Sequence, residues 1–563
     1  MKTYLFIIAL LIFSITAPAQ TQPSKYVIVL KDKKNSDYNL AHPERFLSAK
    51  AVERRAKHHI AIGVSDLPVV SSYMEIITTK GAKVVYQSKW LNTIIVETTN
   101  SDFINQVSLL PFVARIQVFN GNKSTKIEKK SVKPFFQNES IQSKSSSNNL
   151  KSDQSITSYN YGSAFNQINM LSGIQLHNSG FQGQGMTIAV IDAGFNSVDV
   201  LHAFDSLWAN NQILGTRDFV QPNNNVFNTS IDTHGMMVLS TMGANMPGQI
   251  VGTAPKASYW LLRSEDATAE YIMEEYFWVN AAEFADSVGV DVINSSLGYT
   301  VFDNPAQNHT YADMDGNTTV ITIGADLAAQ KGILVVNSAG NSGADAWRYI
   351  GAPADGDSVF TIGAVDSQGN YASFSSKGPT YDRRIKPNVV AQGVGAAVAN
   401  TTGGVSFGSG TSFSSPIIAG MSACLWQANS SLSNMDIINA LQRSGTQANN
   451  PDSLLGYGIP NYMIANVYLA VNEPQSSTKS DDIEIIPNPF SAGFTINFSS
   501  QPQKGIITTT LKTVNGLNVF ESSYLMTGSD RLTIDNLPNL APSVYFLIIR
   551  NGNTSWAKKV IKY

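Results

Sequence analysis

The chain has 563 residues, of which 43% are hydrophobic and 10% aromatic, with a formal net charge of −3 and one cysteine. That length exceeds a single hydrophobic core and implies three or four units of about 100–200 residues each. The weak charge gives no reason to expect nucleic acid as a partner. A lone cysteine excludes an internal disulfide framework, so a secreted form must rely on core size or bound ions.

The first 19 residues read as a signal peptide: Lys2 precedes an apolar run from Tyr4 to Ile15, followed by Ala17-Pro18-Ala19. No later stretch reaches the roughly 18 uninterrupted apolar residues of a membrane span. Residues 20–119 alternate β-branched runs (KYVIVL, KVVYQS, NTIIVET, VARIQVF) with helical patterns (LSAKAVERRAKHHIAI, SYMEIITTKG, DFINQVSLL), which predicts a small α+β unit. His58 and His59 have no ligand partners at coordination spacing and are read as exposed members of a basic helix. Residues 120–159, rich in Ser, Asn and Lys, are expected to form a flexible linker.

Residues 160–470 carry the longest apolar runs. MTIAVI, SYWLLR, VDVINSSLG, GILVVNSAG and VFTIGAV alternate with helical stretches such as EEYFWVNAAEFADSV. Continuous apolar strands between helices predict an α/β domain with a parallel sheet covered by helices on both faces, its functional groups at the carboxyl ends of the strands. Asp192, Ser296, Asn341 and Ser412 all fall at strand ends or helix starts, and they are expected to converge.

Ser412 and His234 each admit both a structural and a chemical reading. Ser412 opens the apolar helical run GTSFSSPIIAGMSACLWQ, with Pro416 expected in a first turn that tolerates a missing N–H. A Ser there caps a core helix, or it acts as a nucleophile at the positive end of the helix dipole. His234 begins a second apolar helix, where a histidine is structural or serves as a base. Gly235 permits close backbone approach, and Ser240, Gly243 and Ala244 permit tight packing. Cys424 lies in the apolar helix after Ser412 and is read as a buried small hydrophobe.

TIAVIDAGF around Asp192, DTHGMMVLSTMGA around His234 and GTSFSSPIIAG around Ser412 resemble the three signature blocks of the subtilisin-like serine peptidases, in that family's Asp, His, Ser order. GTAPKASYW and ILVVNSAGNSG agree with two further blocks, the second supplying the oxyanion-hole Asn, here Asn341. The resemblance implies a secreted serine endopeptidase. Ser412 would be its nucleophile, His234 its base and Asp192 the group orienting His234. It also implies that Ser296, Leu297 and Gly298 pair with an extended peptide, and that Ser338, Ala339, Gly340 and Gly351 wall the P1 pocket with Ala352 and Pro353. Tyr299 stands where a second Gly is usual. With no acidic residue evident among those walls, an apolar or unselective P1 preference is expected.

The resemblance makes residues 20–119 a propeptide, an intramolecular inhibitor expected to be removed by self-cleavage. No cofactor is required by this reading. Structural calcium is open, with Asp313, Asp315 and Asn317 alternating as oxygen ligands do in calcium loops. A solvated Asp/Asn turn is the alternative. Residues 471–482 read as a polar linker and 483–563 as seven short strands of a β-sandwich. The IIPNPF start, the VYFLII strand and the terminal KKVIKY resemble the C-terminal sorting domain of the type IX secretion system of Bacteroidetes, with Ser543 where that pattern usually has Gly. This implies secretion or surface display and the type IX machinery as a partner, with proteins or peptides as substrates. A carbohydrate- or substrate-binding sandwich is the alternative for this domain. For the whole chain the alternatives are a catalytically silent surface adhesin and a sedolisin-type carboxyl peptidase, the latter disfavoured by His234.

Overall fold

The computed structural model describes residues 23–118, 139–142, 159–222, 225–228, 232–472, 483–513, 518–541, 543–552 and 554–562. The expected signal peptide lies outside them, as do the linkers expected at 120–159 and 471–482, apart from residues 139–142, 159 and 471–472. The chain divides into two compact units. Among the described residues, the first comprises 23–37, 69–87 and 92–118, and the second 38–68, 88–91 and those from 139 on.

In the first unit, strands β1 (Ser24–Leu30), β2 (Ala82–Ser88), β3 (Thr93–Thr98) and β4 (Val113–Val118) form a sheet in the order β2-β3-β1-β4. Helices Ser71–Thr78 and Phe103–Ser108 bury Tyr73, Ile77, Phe103 and Val107 against Ile28, Leu30, Ile94 and Val96. Residues 38–68 and 88–91, inside the stretch expected to form one propeptide unit, pack with the second unit instead.

The second unit is built on a seven-stranded, all-parallel sheet. Its strands are β6 (Thr187–Asp192), β7 (Ile213–Asp218), β10 (Ser258–Arg263), β11 (Val292–Ser295), β12 (Leu334–Ser338), β13 (Phe360–Val365) and β14 (Val389–Gln392), in the order β14-β13-β12-β11-β6-β10-β7. Side chains alternate across a strand, so a run buried at every position must be covered on both faces. Along β6, Ile188 and Val190 join the core under helices His234–Gly243 and Thr411–Ala428, while Ala189 and Ile191 join the core under helices Met273–Val288 and Val320–Gln330.

Three small strands complete the chemistry-bearing side. β15 (Ala396–Ala399) and β16 (Val405–Ser409) form a hairpin, and β5 (Ser140–Gln142) adds antiparallel to β16, giving the order β15-β16-β5. Residues 140–142 thus form part of a sheet within the stretch expected to be a linker. A two-stranded ribbon, β8 (Asn245–Met246) with β9 (Ile250–Val251), follows helix His234–Gly243.

Residues 38–68 are gripped by ion pairs. Asp286, fully buried on helix Met273–Val288, accepts from Arg54 Nη2 at 2.5 Å and from Arg55 Nη2 at 2.8 and 2.9 Å. Arg55 and Lys331 also reach Asp66, at 3.2 and 2.9 Å, and Lys50 reaches Asp291 at 2.8 Å. One helical turn along, the Glu283 carboxylate accepts from the backbone N–H groups of Lys89 (3.1 Å) and Trp90 (3.0 Å) and from the Ser88 hydroxyl.

The C-terminal region has seven strands in two antiparallel sheets. β17 (Ile483–Ile486), β18 (Phe494–Phe498) and β21 (Arg531–Ile534) form one, and β19 (Gly505–Thr513), β20 (Asn518–Met526), β22 (Ser543–Asn551) and β23 (Thr554–Lys562) the other. Period-2 burial brings Phe490, Phe494, Ile496, Ile507, Leu511, Leu547 and Val560 into one core, as a sandwich requires. Among the described residues, no helix is long and apolar enough to cross a membrane.

Candidate active site

Asp192 is the last residue of β6, where the buried strand ends and Ala193 N–H donates 2.7 Å to its Oδ1. His234 is the first residue of its helix, with its N–H donating 2.7 Å to Asp232 Oδ1. The helix starts close against the end of β6 because residue 235 is glycine: a Cβ there would lie 2.4 Å from Gly194 O. His234 Nδ1 and Asp192 Oδ1 are therefore 2.7 Å apart, in a pocket that leaves Asp192 fully buried and His234 4% exposed.

Ser412 is the second residue of helix Thr411–Ala428, which is buried from Thr411 to Trp426. Pro416 is not in the first turn, as expected, but deeper, where an ordinary residue would donate its N–H to the carbonyl four positions back, that of Ser412. Ser296 Oγ fills that gap, donating to Ser412 O at 2.9 Å. Ser296 thus fixes the peptide unit of Ser412 through its side chain. Leu297 is likewise turned into the core at 1% exposure, and its carbonyl accepts from Asn337 Nδ2 at 3.1 Å.

Asn341 follows β12. Its Oδ1 accepts from Thr411 N at 2.8 Å and Thr411 Oγ1 at 2.9 Å, which fixes the amide and aims Nδ2 at the space beside Ser412. That space holds the carboxylate of Glu139, a residue that sequence reasoning missed. Glu139 Oε1 accepts from the Ser412 hydroxyl and from Asn341 Nδ2 (3.2 Å), and Oε2 stands 3.3 Å from His234 Nε2. The four expected residues therefore converge. Ser412 and His234 meet through this one carboxylate, and the Ser412 hydroxyl donates to Glu139 rather than to the imidazole.

The electrostatics follow from burial and charge. Burial works against a charged His234, yet the carboxylates of Asp192 and Glu139 outweigh it and raise its pKa well above the ordinary value. Burial pushes the Asp192 carboxyl up, opposed by the charge and hydrogen bond of His234. The imidazole thus sits between two carboxylates, both of which favour its charged form.

Gly298, Gly340 and Gly351 line one cavity of about 140 Å³ with Trp347, Tyr349 and Asp345. Ser338 and Ala339 sit at the end of β12 without lining it. Tyr299 exchanges backbone hydrogen bonds with Ala352 (2.8 and 3.2 Å), and its buried side chain donates to Glu265, so the tyrosine ties two walls together. Asp345 is an acidic lining group that the P1 expectation did not include.

Asp313 and Asp315, named as calcium candidates with Asn317, serve as turn acceptors. Asp313 caps Thr310, Asp315 accepts from Asn317 N at 2.8 Å and Thr318 Oγ1 at 2.9 Å, and Asn317 Nδ2 donates to Asp315 O. Among the described residues, Glu265, Glu270 and Glu274 place carboxylate oxygens within 4.8 Å of one another, an all-oxygen set of the kind hard cations prefer. Glu274 already accepts from the N–H groups of Asp266 and Tyr271, and Glu265 from Tyr299. Cys424 is fully buried against Thr253 O (3.2 Å) and His177.

Residues 183–458 match the Subtilase family of peptidase S8, residues 25–135 the peptidase S8 propeptide domain of Bacteroidota, and residues 484–563 the secretion system C-terminal sorting domain. Subtilisin E of Bacillus subtilis (strain 168) is 31% identical over 288 residues, 50% of this chain and 66% of its own length. This chain therefore spans just under two thirds of that relative. Subtilisin of Bacillus pumilus is 30% identical over 284 residues, 50% of this chain and 90% of its own, and Subtilisin BL of Lederbergia lenta 30% over 290, 51% and 92%. The sorting-domain match indicates secretion or attachment at the cell surface.

Proposed function

The chain belongs to the subtilase family, and on that premise we propose that it is a secreted serine endopeptidase, made as a zymogen, that hydrolyses peptide bonds through an acyl-enzyme on Ser412. The observation that carries the reading is the meeting of Ser412, His234 and Asn341 on one bound carboxylate, with Asp192 behind the imidazole.

With a peptide in place of that carboxylate, Ser412 Oγ attacks the scissile carbonyl carbon and its proton passes to His234 Nε2. Asp192 holds the imidazole through Nδ1 and stabilises it once charged, remaining ionised itself. The carbonyl oxygen gains the negative charge within reach of Asn341 Nδ2 and of the Ser412 N–H, at the positive end of the helix. Collapse of the tetrahedral intermediate breaks the C–N bond, and His234 returns the proton to the leaving amine. Water then attacks the ester by the same steps and restores the Ser412 hydroxyl.

The cavity at Gly298, Gly340 and Gly351 is the proposed P1 pocket. Its aromatic walls suit apolar side chains, and Asp345 adds tolerance for Lys and Arg. Residues matching the propeptide are the proposed intramolecular inhibitor, and the sorting domain the segment read by the secretion machinery. Structural calcium, if bound, finds its oxygen donors at Glu265, Glu270 and Glu274.

The test compares the purified chain with its Ser412→Ala variant by intact mass, fluorophosphonate labelling and digestion of a peptide library. The expected result is labelling and cleavage by the parent only, with the propeptide retained by the variant. A Ser412→Ala chain that still cleaves the library refutes the reading.

A further inference from the structure

We propose that the catalytic centre is also a carboxylate-binding site, and that Glu139, beyond the end of the propeptide match, is its resident ligand in the uncut chain, blocking nucleophile and base together. The proposal rests on the serine-peptidase reading only for its consequence, inhibition; the contact itself stands on geometry.

The Glu139 side chain is 9% exposed and meets three partners at once: the Ser412 hydroxyl, Asn341 Nδ2 at 3.2 Å and His234 Nε2 at 3.3 Å. Of these, Asn341 Nδ2 is the donor proposed to stabilise the oxyanion, and a carboxylate presents it with that charge in the ground state while engaging the attacking hydroxyl and the base as well. A carboxylate is also a poor electrophile, so it is held without being attacked. The room for it depends on Gly410: a Cβ there would come within 2.9 Å of Glu139 Cγ and 3.0 Å of Oε1.

The backbone delivers the side chain. Ser140, Ile141 and Gln142 pair with Ser409, Gly408 and Phe407 on β16, the strand that runs directly into the helix bearing Ser412. Antiparallel pairing places residue 139 at the end nearest the nucleophile. The three paired residues are exposed, so the strand is held by its edge hydrogen bonds and by the carboxylate, a contact weak enough to be exchanged for a peptide.

The latch is ionic. The His234 ring is faced by Asp192 from β6 and by Glu139 just ahead of β5, and Asp232 accepts from the His234 backbone N–H at the helix start. With Glu139 seated, the imidazole is held protonated and is no base. Raising the pH through its elevated pKa removes the cation and weakens the hold.

The experiment uses the full chain with Glu139→Gln, which keeps the shape and removes the charge, Glu139→Ala, and Ile141→Asp as a strand control at an exposed position. In a Ser412→Ala background, which needs no activity, the His234 pKa measured by histidine NMR is expected to fall by about one unit or more on Glu139→Gln. In the active chain, the initial rate of fluorophosphonate labelling of Ser412 near pH 7 is expected to rise about tenfold in both Glu139 variants, which corresponds to one pKa unit of released base, and to stay near the parent rate in Ile141→Asp. An unchanged His234 pKa in Glu139→Gln overturns the proposal, as does an equal labelling rate in the parent and the Glu139 variants. A lowered pKa in a chain that no fluorophosphonate labels, even after the propeptide is trimmed away, upholds the carboxylate site and refutes the peptidase reading instead.

Discussion

Pro416 and Ser296 form a compensating pair, and the compensation can be measured. Pro416 leaves the Ser412 carbonyl without its helical donor, and Ser296 Oγ supplies one at 2.9 Å. Both Ser296 and Ser412 are fully buried, so Ser296→Ala strands a carbonyl away from water, at a cost of about 1–3 kcal/mol. Pro416→Ala restores an N–H four residues on, and in that background the same Ser296→Ala change should cost less than about 1 kcal/mol. The coupling expected from the double-mutant cycle is therefore about 1–2 kcal/mol. Urea unfolding of the four combinations in a Ser412→Ala background measures it, since that change leaves the carbonyl in place. In the active chain, Ser296→Ala should lower kcat about tenfold at nearly constant KM, because the shifted peptide unit carries the attacking hydroxyl. Equal costs of Ser296→Ala with Pro416 intact and with Pro416→Ala would refute the argument.

Asn341→Ala should reduce kcat about 10²–10³-fold with KM little changed, the loss of one oxyanion donor, and a loss residing in KM would contradict that role. Asp286→Ala leaves Arg54 and Arg55 buried without their shared carboxylate and should cost about 3–5 kcal/mol, read as faster trypsin cutting within residues 38–68 of the Ser412→Ala chain; unchanged cutting kinetics would count against it. Burial, with Arg384 nearby, pushes the Lys386 ammonium down from 10.5 to about 7, so the folded chain binds fewer protons than the unfolded one between those values. Its contribution to stability therefore grows as pH rises through that window and is lost as pH falls, and Lys386→Met should flatten the rise in urea midpoint between those pH values; parallel profiles would exclude it. Asp345→Asn should lower kcat/KM for Lys at P1 about two- to tenfold relative to Leu, and an unaltered ratio would remove Asp345 from the pocket.

The parallel sheet was legible because strands covered on both faces read as unbroken apolar runs, as TIAVI in β6 and LVV in β12 do, and helices with small residues must lie between them. Asp192, His234, Asn341 and Ser412 were legible from their blocks and from their places at strand ends. The reach of Glu139 was not: it lies 273 residues from Ser412 in a stretch with no periodicity, and three residues of edge pairing leave no pattern in a sequence. The contact between Ser296 and Ser412 was hidden for a related reason. A serine at a strand end gives no sign of which carbonyl it will serve until the segment holding that carbonyl, 116 residues later, is folded beside it with the proline that frees it. Arg54 and Arg55 read as one face of a basic helix, and only the fold sets Asp286 and Asp66 against them.

The sole thiol of the chain lies inside the helix that Ser412 opens, with no solvent exposure and its pKa pushed up by burial. It reacts with a disulfide reagent only when that helix leaves its core, so the slow appearance of coloured thiolate is a clock for whole-domain opening. Any second cysteine placed on the surface becomes, in turn, the single fast-reacting attachment point for a spin label or dye, with no background to remove by mutation.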